Sequence, residues 1–124
     1  MKLLYVGLGG FAGACLRYVV SLGAQRWWGA GFPYGTMIVN VIGGLLIGLL
    51  MELSIGSDLI PPGMRLFLVT GLLGGFTTFS TFSYETVSLL SDGSYLLGAV
   101  NIGLTLFLSL GGVIAGRSIT QWIL

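Results

Sequence analysis

The sequence has no histidine. Zinc sites of the usual kind and histidine acid/base chemistry are therefore ruled out. It has one cysteine, Cys15, inside an apolar run, so no disulfide can form within the chain and the redox compartment cannot be read. Charge is scarce. Five basic and four acidic residues make up 7% of 124, where a soluble domain carries about a quarter. With a net charge of +1 there is no basic tract for nucleic acid or anionic lipid. No nucleophile–base pair or metal set is present, so an enzyme is not expected. The three prolines, Pro33, Pro61 and Pro62, fall between apolar runs, so any break inside a run has another cause.

What is present is apolar. Hydrophobic residues make up 55% of the chain and the mean hydropathy is +1.00. Such a surface is solvated by lipid, not water. Residues 3–16, 27–51, 66–84 and 93–116 carry no charge. Each run approaches or exceeds the roughly 20 residues that cross a 30 Å hydrocarbon core. A chain this short cannot close a barrel, and lipid leaves no partner for a free main-chain group, so the spans are predicted helical. The reading is an all-α membrane protein with a single four-helix domain over residues 1–124, spanning near 3–23, 34–54, 65–90 and 94–117. It predicts a multi-pass protein of the plasma or inner membrane. The N-terminus mimics a signal peptide, but Arg17 interrupts its apolar run and three further spans follow.

The connections, near 24–33, 55–63 and 91–94, leave no room for an extramembrane domain. Trp27 and Trp28 suit the headgroup layer. Lys2, Arg65 and Arg117 lie on one side; Arg26 lies on the other, with Arg17 if it snorkels. So weak a basic bias fits either an ordinary protein or one that inserts both ways up. Glycine is abundant, 22 residues, and every span has a pair four apart: Gly9/Gly13, Gly44/Gly48, Gly71/Gly75 and Gly112/Gly116. Pairs at this spacing let helix backbones touch in membranes.

Polar residues within spans are costly and become functional candidates. Arg17 shares a helical face with Gly9 and Gly13. It could be buried against carbonyls, draw an anion into a vestibule, or snorkel. Thr36 and Asn40 lie one turn apart in the second span, as glue between helices or as hydrogen-bond donors to a ligand. Asn101, Thr105 and Ser109 recur every four residues in the last span, again as glue or as a file of donors. Glu85 is the only carboxylate well inside a span, and a hydrogen bond within its helix or to nearby hydroxyls is expected for it.

The third span holds the densest signal: Gly71-Leu-Leu-Gly-Gly-Phe-Thr-Thr-Phe-Ser-Thr-Phe-Ser-Tyr-Glu85. Paired glycines followed by two threonines are poor helix formers. The helix is expected to break near its middle, over Gly74 to Thr77. Such a break is tolerated in a membrane only where protein or a water-filled cavity covers it. Its freed carbonyls suit a cation. Phe79 and Phe82 lie three apart and share a face if helix resumes there. Ring edges carry the positive part of the aromatic quadrupole, so two edges could contact an anion without a formal charge. The plainer reading is that they are core or lipid-facing side chains.

Residues 71–85 resemble the signature of the Fluc/CrcB fluoride channels. Gly9-Gly-Phe-Ala-Gly-Ala-Cys-Leu-Arg-Tyr18 and Gly35-Thr-Met-Ile-Val-Asn-Val-Ile-Gly-Gly44 are similar to that family's first and second spans. The likeness covers nearly the whole chain. It implies an antiparallel, dual-topology homodimer with two parallel fluoride pathways. It also implies pore residues at Asn40, Phe79, Phe82, Thr105 and Ser109, and a vestibule or structural role for Arg17. The implied cofactor is a structural sodium ion at the dimer interface, held by the carbonyls of Gly74 and Thr77. Some members have a tyrosine where this chain has Asn101.

The function so implied is passive, selective fluoride conduction that exports the ion and relieves its toxicity. The implied partners are fluoride, a second copy of the chain and the bilayer. The alternative is a small dual-topology, proton-coupled multidrug exporter. Such a protein needs a membrane-embedded carboxylate, usually early in the chain. The first span has none, and Glu85 comes late.

Overall fold

In lipid each main-chain N–H and C=O needs a partner within the protein. The computed structural model, which describes residues 1–124, meets this demand with helices alone. Of 98 main-chain hydrogen bonds, 86 lie inside them, so few are left to loops. Helix α1 is Lys2–Trp28, α2 is Tyr34–Gly56, and a short α3, Pro62–Arg65, opens the third span. That span continues as a π-helical segment, Leu66–Leu73, then α4, Gly74–Phe76, and, after a gap, α5, Phe79–Ser91. Helix α6 is Tyr95–Ile123. The four stretches long and apolar enough to cross a membrane are Lys2–Trp28, Tyr34–Gly56, Pro62–Ser91 and Tyr95–Ile123.

Two ends differ from expectation. The segment Ala24–Trp28, read as connection, belongs to α1, because nothing in it opposes helix. The helix stops at Gly29, whose φ of 79° is one that glycine adopts at little cost. At the other end α6 runs on to Ile123.

The glycine pairs explain the arrangement. Gly9 and Gly13 of α1 face Gly71 and Gly75 of the third span. A methyl group at Gly75 would lie 2.6 Å from the Gly10 carbonyl. Gly44 and Gly48 of α2 likewise face Gly112 and Gly116 of α6. A methyl at Gly44 would lie 2.6 Å from the Ser109 carbonyl. Helices this close gain dispersion over their backbones, the main attraction available in lipid. Two glycine seams thus bind α1 to the third span and α2 to α6, and α5 lies on α6.

The break is shorter and later than Gly74 to Thr77. Gly74, at φ −60° and ψ −37°, is helical. So are Gly75 and Phe76. Only Thr77, at φ −88° and ψ 159°, and Thr78, at φ −154° and ψ 123°, are extended. Gly75 contributes contact at the seam, Gly74 meets nothing across it, and the two threonines supply the extended backbone. Two β-branched residues in succession suit that conformation.

Candidate functional site

The extended pair Thr77–Thr78 frees main-chain groups in mid-span, and Asn40 takes up two of them. Its Oδ1 accepts from the Thr78 N–H at 2.9 Å, and its Nδ2 donates to the Thr78 carbonyl at 3.0 Å. The amide thus pairs with Thr78 as a neighbouring strand would, and one of its N–H groups stays uncommitted. Helix then restarts under a cap: Thr78 Oγ1 accepts from the Thr81 N–H at 3.1 Å. This is the usual way to satisfy an N-terminal amide. Gly43 makes room for the turn, since a methyl there would strike Thr77 Cγ2.

The restart aims two aromatic rings. Phe79 and Phe82 lie on the first turn of α5, with ring centroids 5.8 Å apart and planes tilted by 47°. Phe82 is half-buried, while Phe79 is 78% exposed on the single chain. Asn40, Phe79, Phe82, Thr105 and Ser109 line one cavity of about 240 Å³, together with Thr77, Thr78 and Leu106. That is room for several waters at about 30 Å³ each. No charged side chain lines it.

Its polar groups differ in what they have left to give. Thr105 donates its hydroxyl proton to Asn101 Oδ1 at 3.1 Å. Asn101 Nδ2 donates to Thr86 Oγ1 at 2.9 Å, joining α6 to α5. The Ser109 hydroxyl is buried and has no partner. An unpaired buried hydroxyl costs about 1–3 kcal/mol. A ligand or water in the cavity would remove that cost.

Arg17 sits on the α1–third-span seam, where its Nε donates to the Gly75 carbonyl at 3.0 Å. That bond ties α1 to the last helical turn before the break. Gly74 and Thr77 line a second cavity, of about 270 Å³, beside Asn40, Gly43 and Leu73. The Thr77 carbonyl accepts no hydrogen bond, and the Thr78 N–H that would normally reach Gly74 goes to Asn40. Main-chain oxygens are thus the donors on offer to a cation. No cluster of three His, Cys, Asp or Glu side chains is present. Glu85 lies elsewhere, in a cavity of about 350 Å³ with Ser21, Thr36, Tyr84 and Asp92. Its Oε1 is buried without a partner, while the Thr36 hydroxyl stands beside the carboxylate as a hydrogen-bond partner. The ion pair Arg117–Glu52, at 3.2 Å, joins the far ends of α6 and α2.

Thr78, Gly43 and Thr86 escaped the sequence reading. Thr78 had a visible signal, a threonine three residues before another at the start of a helix-compatible run. The role of Gly43 depends on Thr77 across the helix pair, and that of Thr86 on Asn101, so neither has a local signature.

Comparison with known proteins follows the same lines. Residues 4–117 match the model of the family described as CrcB-like protein, Camphor Resistance (CrcB). A fluoride-specific ion channel FluC from Clostridium perfringens is 54% identical over 118 residues, covering 95% of this chain and 92% of the relative. One from Clostridium novyi is 48% identical, covering 94% and 91%. Another, from Ruminiclostridium cellulolyticum, is 44% identical and covers 99% and 95%.

Proposed function

The chain belongs to the CrcB-like family, and from that premise we propose that it is a fluoride channel. It is not an enzyme. It is a multi-pass membrane protein that lets fluoride run down its gradient and out of the cell. One observation carries the reading. Asn40, Phe79, Phe82, Thr105 and Ser109 meet in a single uncharged cavity, and the Ser109 hydroxyl there is buried with nothing to bond.

The chemistry fits a small, strongly hydrated anion. Leaving water, fluoride needs replacement donors. The free N–H of Asn40, the Ser109 hydroxyl and the ring edges of Phe79 and Phe82 are neutral donors. They hold an anion tightly enough for entry and loosely enough for exit. A fixed cation in the narrow part would hold it too long. Arg17 does not line this cavity and serves structurally, through its bond to the Gly75 carbonyl.

The active form is an antiparallel homodimer with two parallel pathways. The exposed ring of Phe79 and the exposed Gly74, Ser80 and Tyr84 support this reading, since a lone chain leaves them uncovered. The Gly74 and Thr77 carbonyls would hold a sodium ion there, which would supply fixed charge that secures the broken spans; the unpaired Thr77 carbonyl supports that assignment.

The test is purified protein in liposomes with a fluoride electrode, with chloride and a proton gradient as controls. Fluoride efflux without chloride efflux or proton coupling is expected. Phe79→Ile or Phe82→Ile should cut the efflux at least tenfold, roughly the 1.4 kcal/mol of one lost aromatic contact. Unchanged efflux in both variants, with assembly intact, would refute the role of the rings.

A further inference from the structure

A hydrogen-bonded relay runs behind the cavity, and its direction is set at one end. The Phe82 carbonyl can only accept. Thr86 gives it its single hydroxyl proton at 2.8 Å. With that proton committed, Thr86 Oγ1 can only accept. The amide face turned towards it must therefore be the N–H face of Asn101, at 2.9 Å. The other face, Oδ1, is then turned to Thr105 and takes its hydroxyl proton at 3.1 Å. Asn101 is 1% exposed, and Thr86 and Thr105 are also buried, so bulk water does not compete for these bonds.

The consequence reaches the cavity wall. Thr105 shows the cavity only lone pairs, which repel an anion. Ser109, one turn further along α6, has its proton free. The geometry points to Asn101 as a positioning residue that assigns these opposite roles, making Thr105 an acceptor and Ser109 the hydroxyl donor. This deepens the fluoride reading and rests on it. The anion sits at Ser109, while Thr105 Oγ1 accepts a hydrogen bond from the water that accompanies it. Two neighbouring hydroxyls therefore cannot clasp one ion together.

The experiment measures how much Ser109→Ala slows fluoride efflux from liposomes in three backgrounds. These are the unaltered protein, Asn101→Leu, and Thr86→Val. The second removes the amide. The third removes the acceptor that holds the amide's direction, so that either background serves if the other fails to assemble. In the unaltered protein the loss should be about tenfold or more, as for a hydrogen bond to a charged group. In Asn101→Leu Thr105 regains its proton and can replace the serine, and in Thr86→Val the amide is free to turn over, donate to Thr105 and release the same proton. There the loss should shrink to about threefold or less, a difference well under one such bond. Adding Thr105→Val to either should restore the full loss. A Ser109→Ala effect of the same size in every background would overturn the assignment, and so would no effect in the unaltered protein. If the unaltered protein moves no fluoride, the channel reading fails instead. The relay is then decided by NMR. A Thr105 hydroxyl proton protected from exchange, and exposed by Asn101→Leu, supports it; an unprotected one refutes it.

Discussion

The side-chain amide of Asn40 closes two main-chain hydrogen bonds that the interruption opens, both to Thr78. An apolar side chain of the same size would leave a buried N–H and C=O without partners. Asn40→Leu should therefore lower stability by about 2–6 kcal/mol, from two such groups at about 1–3 each. A thermal melt in detergent, read beside fluoride efflux, checks this. Efflux should be lost even at temperatures where the variant stays folded, because the free N–H leaves with the amide. At this scale the sequence was partly legible. Asn40, Phe79, Phe82, Thr105 and Ser109 stood out because polar or paired aromatic residues are rare at membrane depth. What could not be read was the state of each proton. Ser109 and Thr105 look alike in sequence, and only the partner of each hydroxyl separates them.

Each helix finds its neighbour through glycine, and the seams make a contrast that can be tested. At Gly44 a larger side chain meets the Ser109 carbonyl of α6, so Gly44→Val should destabilise by roughly 1–3 kcal/mol or more from overpacking. At Gly7 and Gly103 nothing lies within 4 Å of an added methyl. Gly7→Ala and Gly103→Ala should raise stability, by about 0.5–1 kcal/mol each, through helix propensity alone. Melting midpoints of the three variants decide it, and a loss at Gly7 or Gly103 equal to that at Gly44 would deny the seams their role. The spacing of these pairs was visible beforehand, but their partners were not. A glycine that breaks a helix and a glycine that admits a neighbour are the same residue. Gly74 and Gly75 were assigned to the break, yet the Gly10 carbonyl explains Gly75 and the two threonines explain the break. The π-helical segment Leu66–Leu73 carries no signal of its own, since nothing in Leu-Phe-Leu-Val-Thr-Gly-Leu-Leu distinguishes it from an α-helical run.

For the whole molecule, charge decides which way up the chain lies. The ends of α1, α2 and α6 near Lys2, Arg65 and Arg117 outweigh the Arg26 side only weakly, and Arg117 is already paired with Glu52. Two added charges should tip the balance. Asp58→Lys with Leu59→Lys, both in the exposed connection after α2, raise three basic residues against one to five against one and should drive nearly all copies into one orientation. If the pathway needs two opposed copies, fluoride resistance in cells should then collapse. It should return when a second gene, biased the other way, is expressed alongside. Labelling of a cysteine placed at Ser94, on the opposite side, reports the orientation. Resistance that survives a uniform orientation would remove the antiparallel pairing from the proposal.

The bare face of Phe79 has a consequence for how the cell sets its protection. In the proposed dimer, a ring that is 78% uncovered on the single chain would leave one wall of the path missing until a second copy arrives. A solitary chain would then be an open circuit and not a half-strength leak. While copies are few and mostly unpaired, conduction grows with the square of their number, as mass action requires of any two-body assembly. Low expression is then safer than proportionality would suggest, and a modest rise in synthesis yields a disproportionate rise in export.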